Sequence, residues 1–183
     1  MFDKNFIRLL LGMSMLGVSS CAIYTSGATH AYVAQESRAR VAVLDFEQEG
    51  FLAGEKLGGY AAEELTAALF AQKKFAVVDR AQVKSGVHAL QLSAAVMSAA
   101  EIKKLGALLQ ADYLVLGKLQ TLNRAGRDPE HDQNLHLQIS FRLIAVREGE
   151  MLGVFSERGK SKSEAEELIS RVLRQMANAV KFK

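Results

Sequence analysis

The chain has 183 residues, 49% hydrophobic and 23% charged, a balance that suits one globular domain with a short additional segment. That length buries a substantial core without disulfides or metals. The formal charge of +3 is small and part of it sits in the first residues. No basic cluster interleaved with aromatics follows, so nucleic acid is not expected as a partner.

Residues 1–20 have the three-part design of an export signal. Lys4 and Arg8 supply the positive end, Leu9 to Val18 the apolar run, and Ser19, Ser20 and Cys21 the small-residue cleavage region. The apolar run is roughly ten residues, against about twenty for a spanning helix. The string Val18-Ser19-Ser20-Cys21 resembles the lipobox of bacterial lipoproteins, and an ordinary secretory signal is the alternative. The resemblance implies that the Cys21 thiol receives a palmitate-bearing lipid and becomes the new amino terminus. Cys21 is the single cysteine, which excludes an internal disulfide and a cysteine metal site. Ala22 stands where an aspartate signals inner-membrane retention. By the same resemblance, the destination is the periplasmic face of the outer membrane.

Residues 21–39 are small and polar, with Thr25, Ser26, Gly27, Gln35, Glu36 and Ser37, and read as a tether. Such a segment extends at most roughly 60 Å. The folded domain is expected over residues 40–183. It opens with Arg40-Val-Ala-Val-Leu-Asp-Phe46, an apolar run that predicts a buried strand. From about Gly54 to Lys74 the period becomes helical, with Leu57, Tyr60, Ala61, Leu65, Ala68 and Leu69 on one face. Phe75 to Asp79 predicts a second buried strand. Ala81 to Leu92 is ambiguous and has room for a short helix.

Ser98 and Glu101 form a capping box for a helix that buries Ile102, Leu105, Gly106 and Leu109. Tyr113 to Thr121 predicts a third strand. From Leu135 to Val146, Leu137, Ile139, Phe141 and Leu143 point one way and His136, Gln138, Ser140 and Arg142 the other, the mark of a strand with one wet face. Glu148-Gly149-Glu150 reads as a hairpin turn into a strand over Met151 to Glu157. Ser163 and Glu166 suggest a second capping box, for a helix striped by Ala165, Leu168, Ile169, Val172, Leu173, Met176 and Val180. The fold class is therefore α/β (α+β), a mixed sheet with a three-stranded antiparallel meander, flanked by helices.

Three strings, Val41 to Phe46, Phe75 to Arg80 and Ile102 to Gly117, resemble the CsgG-like family of periplasmic lipoprotein domains. The most specific piece is Leu105-Gly106 followed by Ala111-Asp112-Tyr113 and Gly117, and the resemblance runs over roughly Arg40 to Ala179. Members include the curli secretion lipoprotein, a flagellar outer-ring group and lipoprotein activators of penicillin-binding proteins. Independently of family, Gly106 lets its helix approach the sheet, and Gly117 marks a bulge or close backbone approach. Asp79 and Arg80 read as a rim ion pair or a helix cap.

The residues do not assemble a catalytic set, and neither enzyme activity nor a cofactor is expected. His30, His88, His131 and His136 share no metal-ligand spacing, and no metal site is expected. Asn123 to Asn134, with Asp128, Glu130, His131 and Asp132, reads as a solvated hairpin loop. Glu47, Glu49 and Glu55 read as polar loop residues. Glu47 to Gly54 is too short, and Asn123 to Asn134 too polar, for the transmembrane hairpins of a self-sufficient channel.

The main expectation is thus an outer-membrane lipoprotein component in the assembly or secretion of a surface structure, curli-type or flagellar outer ring. Its partners would be the membrane, through lipid on Cys21, other envelope proteins and possible further copies of itself. The alternative is a lipoprotein activator of a penicillin-binding protein in peptidoglycan synthesis. The exposed faces of the meander and the loop Asn123 to Asn134 are the expected contact surfaces, with the final helix in the core.

Overall fold

The computed structural model describes residues 38–50, 56–93, 97–122, 135–162 and 164–180. All of them belong to the unit Val33–Lys183. The export signal, Cys21, His30, Glu55 and the 123–134 loop lie outside the described residues.

The order of elements is β1 (Arg40–Val43), β2 (Glu47–Glu49), α1 (Leu57–Ala71), β3 (Ala76–Val77), α2 (Arg80–Ala89), α3 (Ala99–Leu109), β4 (Tyr113–Thr121), β5 (Leu135–Ala145), β6 (Glu150–Ser161) and α4 (Ala165–Ala179). The sheet runs β3-β1-β4-β5-β6, with β2 also pairing β4. β1 is parallel to both β3 and β4, and β4, β5 and β6 form the antiparallel meander. The expected mixed sheet flanked by helices is therefore present.

Alternation along each strand divides the core in two. On one face Val41, Val43, Val115, Leu119, Leu137, Ile139, Phe141 and Leu143 meet Leu57, Ala61, Leu65 and Leu69 of α1 and Leu168, Ile169, Val172, Leu173 and Met176 of α4. On the other face Ala42, Leu44, Leu114, Leu116 and Ile144 meet Val83 of α2 and Ile102, Leu105 and Leu109 of α3. Burying each large apolar side chain contributes about 1.5–3 kcal/mol. The stripe of the final helix is core, as expected.

Local chemistry accounts for the joins. The Asp79 carboxylate accepts from the N–H groups of Ala81 and Gln82, so the ambiguous stretch is a helix with Asp79 as its cap. Ser98 and Glu101 form the expected capping box, and its hydrogen bonds from Ser98 hold the Glu101 carboxyl below its ordinary pKa. Glu164 caps α4 without a side-chain bond, so α4 begins one residue later than its expected box requires, and Ser163 lies outside the described residues.

Two joins explain the strings that looked most specific. After α3, Gln110 turns left-handed with φ 50°, and Ala111 N–H donates to the Gly106 carbonyl at 2.9 Å. Asp112 then accepts from Arg40 N–H at 2.7 Å, while Arg40 Nε donates to the Gln110 carbonyl at 2.7 Å. A Cβ on Gly106 would stand 2.2 Å from a Val146 methyl, and one on Gly117 would stand 2.3 Å from the Phe46 ring. Gly117 is a close approach and not a bulge, since β4 and β5 stay in register through it.

β2 departs from the expected polar loop. Glu47, Gln48 and Glu49 pair in parallel with Lys118, Leu119 and Gln120, filling the place beside β4 that the short β1 leaves open. β6 is also longer than expected, reaching Ser161 instead of Glu157.

Substitution of the glycines separates packing from backbone freedom. Gly106→Ala and Gly117→Ala should each lower stability by about 1–3 kcal/mol through overpacking. Gly59→Ala, in α1 with nothing within 4 Å of the added carbon, should raise it by about 0.5–1 kcal/mol. Urea unfolding midpoints of the three variants measure the contrast.

Candidate interaction surface

The helices do not cover the whole sheet. α2 and α3 shelter β1 and the first half of β4, and beyond them the second face of the meander carries polar side chains. Lys118, Ser140 and Ser156 form one cross-strand row, Gln120, Gln138 and Arg158 the next, and His136 with Lys160 a third. On the other side of the first row stand Arg142 and Val154, themselves register partners. The expectation that His136, Gln138, Ser140 and Arg142 share one face, opposite the core residues, agrees with this register.

The charges on this face are graded. Lys118 Nζ lies 2.5 Å from Glu49 Oε1, so β2 supplies the acid that neutralises it. Arg158 Nε donates to Gln138 Oε1 at 3.4 Å, and Gln138 Nε2 donates to Ser156 Oγ at 3.3 Å. Among the described residues no carboxylate pairs with Arg142, Arg158 or Lys160, and all three are exposed. They make a cationic strip along β5 and β6. Met151 and Val154, 57% and 58% exposed, border it with apolar surface.

Arg158 and Lys160 escape the sequence reading because the expected strand ends at Glu157, whereas β6 runs to Ser161. The signal was present in the partner strand. An eleven-residue strand closed by a tight turn needs an equally long neighbour to satisfy its backbone groups, which carries β6 to about Ser161.

Other clusters have structural work. The Arg80 guanidinium donates to the Val43 carbonyl and pairs with Asp45, tying α2 to the end of β1, so its ion pair is not with Asp79. Between α1 and α4, Ser170 Oγ donates to Glu64 Oε2 at 2.6 Å, and Arg174 reaches the same oxygen at 3.5 Å. Burial, with the Glu64 charge second, raises the Tyr60 pKa, and a Ser170 hydrogen bond opposes it.

A cleft of about 500 Å³ lies over Leu44, Val83, Val87 and Leu92, with Asp45, Lys84, His88 and Gln91 also lining it. Asp45 is already claimed by Arg80, which leaves Lys84, His88 and Gln91 as the polar side chains among the described residues that line the cleft. Among the described residues no three potential metal ligands gather, and no helix is long and apolar enough to cross a membrane. His88 sits exposed in the last turn of α2, His136 on the solvated sheet face, and His131 outside the described residues.

Fold and surface define a small mixed α/β domain that presents a solvated sheet face and, among the described residues, no catalytic constellation. The model of the peptidoglycan-synthase activator LpoB family matches residues 60–160, more than half of the chain, and the chain belongs to that family. No curated protein matches it. Among solved structures, hypothetical protein CT253 from Chlamydia trachomatis is 14% identical with a TM-score of 0.53, over 78% of this chain and 95% of that one, a likeness of fold. The LpoB C-terminal domain from Escherichia coli is 20% identical with a TM-score of 0.46, over 68% and 83%. Lipoprotein GNA1162 from Neisseria meningitidis is 19% identical with a TM-score of 0.49, over 76% and 99%.

The family match corrects two expectations. The chain is assigned to LpoB and not to the CsgG-like family, and the role in curli-type secretion or a flagellar outer ring gives way to the alternative. The physical reason lies in the residues that carried the resemblance. Gly106 against Val146, Asp112 on Arg40 and Gly117 under Phe46 serve the packing of the helix-to-strand join and of β4, which is a matter of fold and carries no information about function.

The Arg80 tie makes a test of which polar contacts matter. Arg80 is only 12% exposed, so Asp45→Ala should cost about 1–2 kcal/mol by stranding its guanidinium, after discounting for the exposed carboxylate. Glu63→Ala, which breaks a 3.9 Å pair between exposed side chains, should cost less than about 0.5 kcal/mol. Thermal denaturation of both variants distinguishes them.

Proposed function

We propose that this protein activates a peptidoglycan synthase of the penicillin-binding type by docking on it from the periplasmic face of the outer membrane, without a catalytic step of its own. The family match over residues 60–160 carries this reading. The domain supports it by offering a rigid sheet face with exposed cations and no converging catalytic groups among the described residues.

The anchor completes the proposal. Cleavage before Cys21 and lipidation of its thiol leave residues 21–39 as the tether and residues 40–183 as the working domain. Two or more acyl chains, at about 0.8 kcal/mol per buried methylene, hold such a protein on a membrane without a spanning helix. Since residues 21–39 reach at most roughly 60 Å, the docking surface of the synthase must come within that distance of the membrane. No nucleic acid and no cofactor enters this mechanism.

Two measurements test the reading. Adding the full chain in detergent to the purified cognate synthase should raise its rate of glycan polymerisation or cross-linking severalfold, and an unchanged rate at saturating chain would overturn it. Cys21→Ser should abolish labelling by radioactive palmitate and release the chain from the outer-membrane fraction, and retained label would show that Cys21 is not the attachment point.

A further inference from the structure

β6 is the last strand of the sheet, and no described strand pairs with its far side. Its backbone orientation follows from its neighbours. Leu122 N–H donates to the His136 carbonyl and Val146 N–H to the Asp112 carbonyl, so the even-numbered residues of β5 turn their backbone groups toward β4. Its odd-numbered residues therefore bond to β6, where their register partners are Gly153, Phe155, Glu157 and Gly159. Val154, Ser156, Arg158 and Lys160 consequently turn their N–H and C=O groups off the sheet. The same four residues put their side chains on the solvated face, beside Arg142.

We infer that this edge receives an extended, acidic segment of a protein partner, which adds a strand to β6 with carboxylates beside Arg158 and Lys160 and an apolar residue beside Val154. Under the function proposed above, that segment belongs to the synthase, and the inference rests on that reading only for the partner's identity.

Charge selects the occupant. Lysine and arginine along an exposed edge repel most incoming strands, and a partner with acids at alternate positions turns that repulsion into attraction. A second copy fits poorly. Antiparallel self-pairing centred on the regular stretch opposes Glu157 to Glu157, Val154 to Lys160 and Ser156 to Arg158, which sets a like-charge contact in the centre. The stretch is bounded, because Ile144 pairs with Met151 and Leu143 with Gly153, leaving Leu152 as the extra residue of a bulge. A lipid surface would use the cations and has no backbone to offer the edge.

The backbone orientation supplies a selective variant. Ser156→Pro removes an N–H that points off the sheet and spares the ladder to β5, so the fold should survive, as proline is tolerated on edge strands. Arg158→Glu with Lys160→Glu reverses the charge. Circular dichroism and melting should confirm that both variants fold.

In full-length chain, binding to the purified cognate synthase should weaken more than about tenfold in each variant, and wild-type binding should weaken as salt rises from about 0.05 to about 0.5 M. A parallel titration uses a ten-residue peptide alternating glutamate and threonine, with a lysine-threonine peptide as control. The acidic peptide should slow amide exchange at Val154, Ser156 and Arg158, and the basic one should not. If both variants bind and activate the synthase as wild type does, the edge is not the docking site, although the activator reading stands. If the synthase does not bind but the acidic peptide protects the edge, the strand-addition site stands and the activator reading falls. Absence of both signals overturns both. Adsorption to phosphatidylglycerol vesicles that Ser156→Pro leaves unchanged and the charge reversal abolishes, with no peptide protection, would overturn the proposal in favour of a lipid surface.

Discussion

β4 is the strand on which the rest of the structure depends. It pairs in parallel with β1 and β2 along one side and antiparallel with β5 along the other, so it joins the alternating first half of the chain to the meander. Its first residues are buried on both faces, and Gly117 marks where that changes. The Phe46 ring fills the space a side chain would occupy there, which closes the core beneath the gap between β1 and β2. Phe46 N–H bonds to the Gly58 carbonyl at 3.1 Å, and Gly58 N–H bonds to Gln48 Oε1 at 2.9 Å. The start of α1 is thereby fixed on the same spot, and a single close contact sets the position of two strands and a helix.

The solvated face follows from a mismatch of lengths. β1 has four residues and β3 two, whereas β5 has eleven and β6 twelve. On the face that α2 and α3 cover, the buried side chains of the longer strands are Leu114, Leu116 and Ile144, beside β1. On the opposite face α4 runs back over the meander, so Phe155 stacks on Phe141 with ring centres 4.8 Å apart. The far half of the meander thus has a dry side under α4 and a wet side. The wet side carries the polar and cationic side chains of β4, β5 and β6 on hydrogen-bonded strands.

What the sequence conveyed follows from how strongly local pattern couples to burial. The helical stripe of Ile102, Leu105, Gly106 and Leu109 and the alternation from Leu137 to Leu143 were legible because both faces of each element experience different solvents. The capping box at Ser98 and Glu101 was legible for a similar reason, since two side chains at fixed spacing satisfy two backbone groups. β2 was not legible, because Glu47-Gln48-Glu49 has no apolar residue, and its strand state comes from β4 alone. Arg158 and Lys160 were missed with the end of β6, where Glu157-Arg158-Gly159-Lys160 carries no hydrophobic alternation. The family was not legible in the strings that carried the resemblance because they encode the packing of the helix-to-strand join, Gly106 on Val146 and Asp112 on Arg40, which specifies fold and not function.

As the docking strand inferred above, the edge of β6 would reconcile two demands that ordinarily conflict. An exposed strand must not pair with every chain it meets, and a docking strand must pair with one. Cations on its solvent face and the bulge at Leu152 restrict pairing to the residues from Val154 to Lys160, a span of roughly 20 Å. So short a ladder, stabilised by charges that salt screens, gives modest affinity by itself. If Cys21 is lipidated as proposed, the anchor and its short tether would compensate by confining the domain to a thin shell beside the membrane, which raises its effective concentration toward a partner there. Weak docking then suffices for occupancy when the partner is within reach and lapses when it is not. An activator anchored as proposed would respond to the spacing between membrane and synthase as well as to the contact itself, because tether length limits its reach.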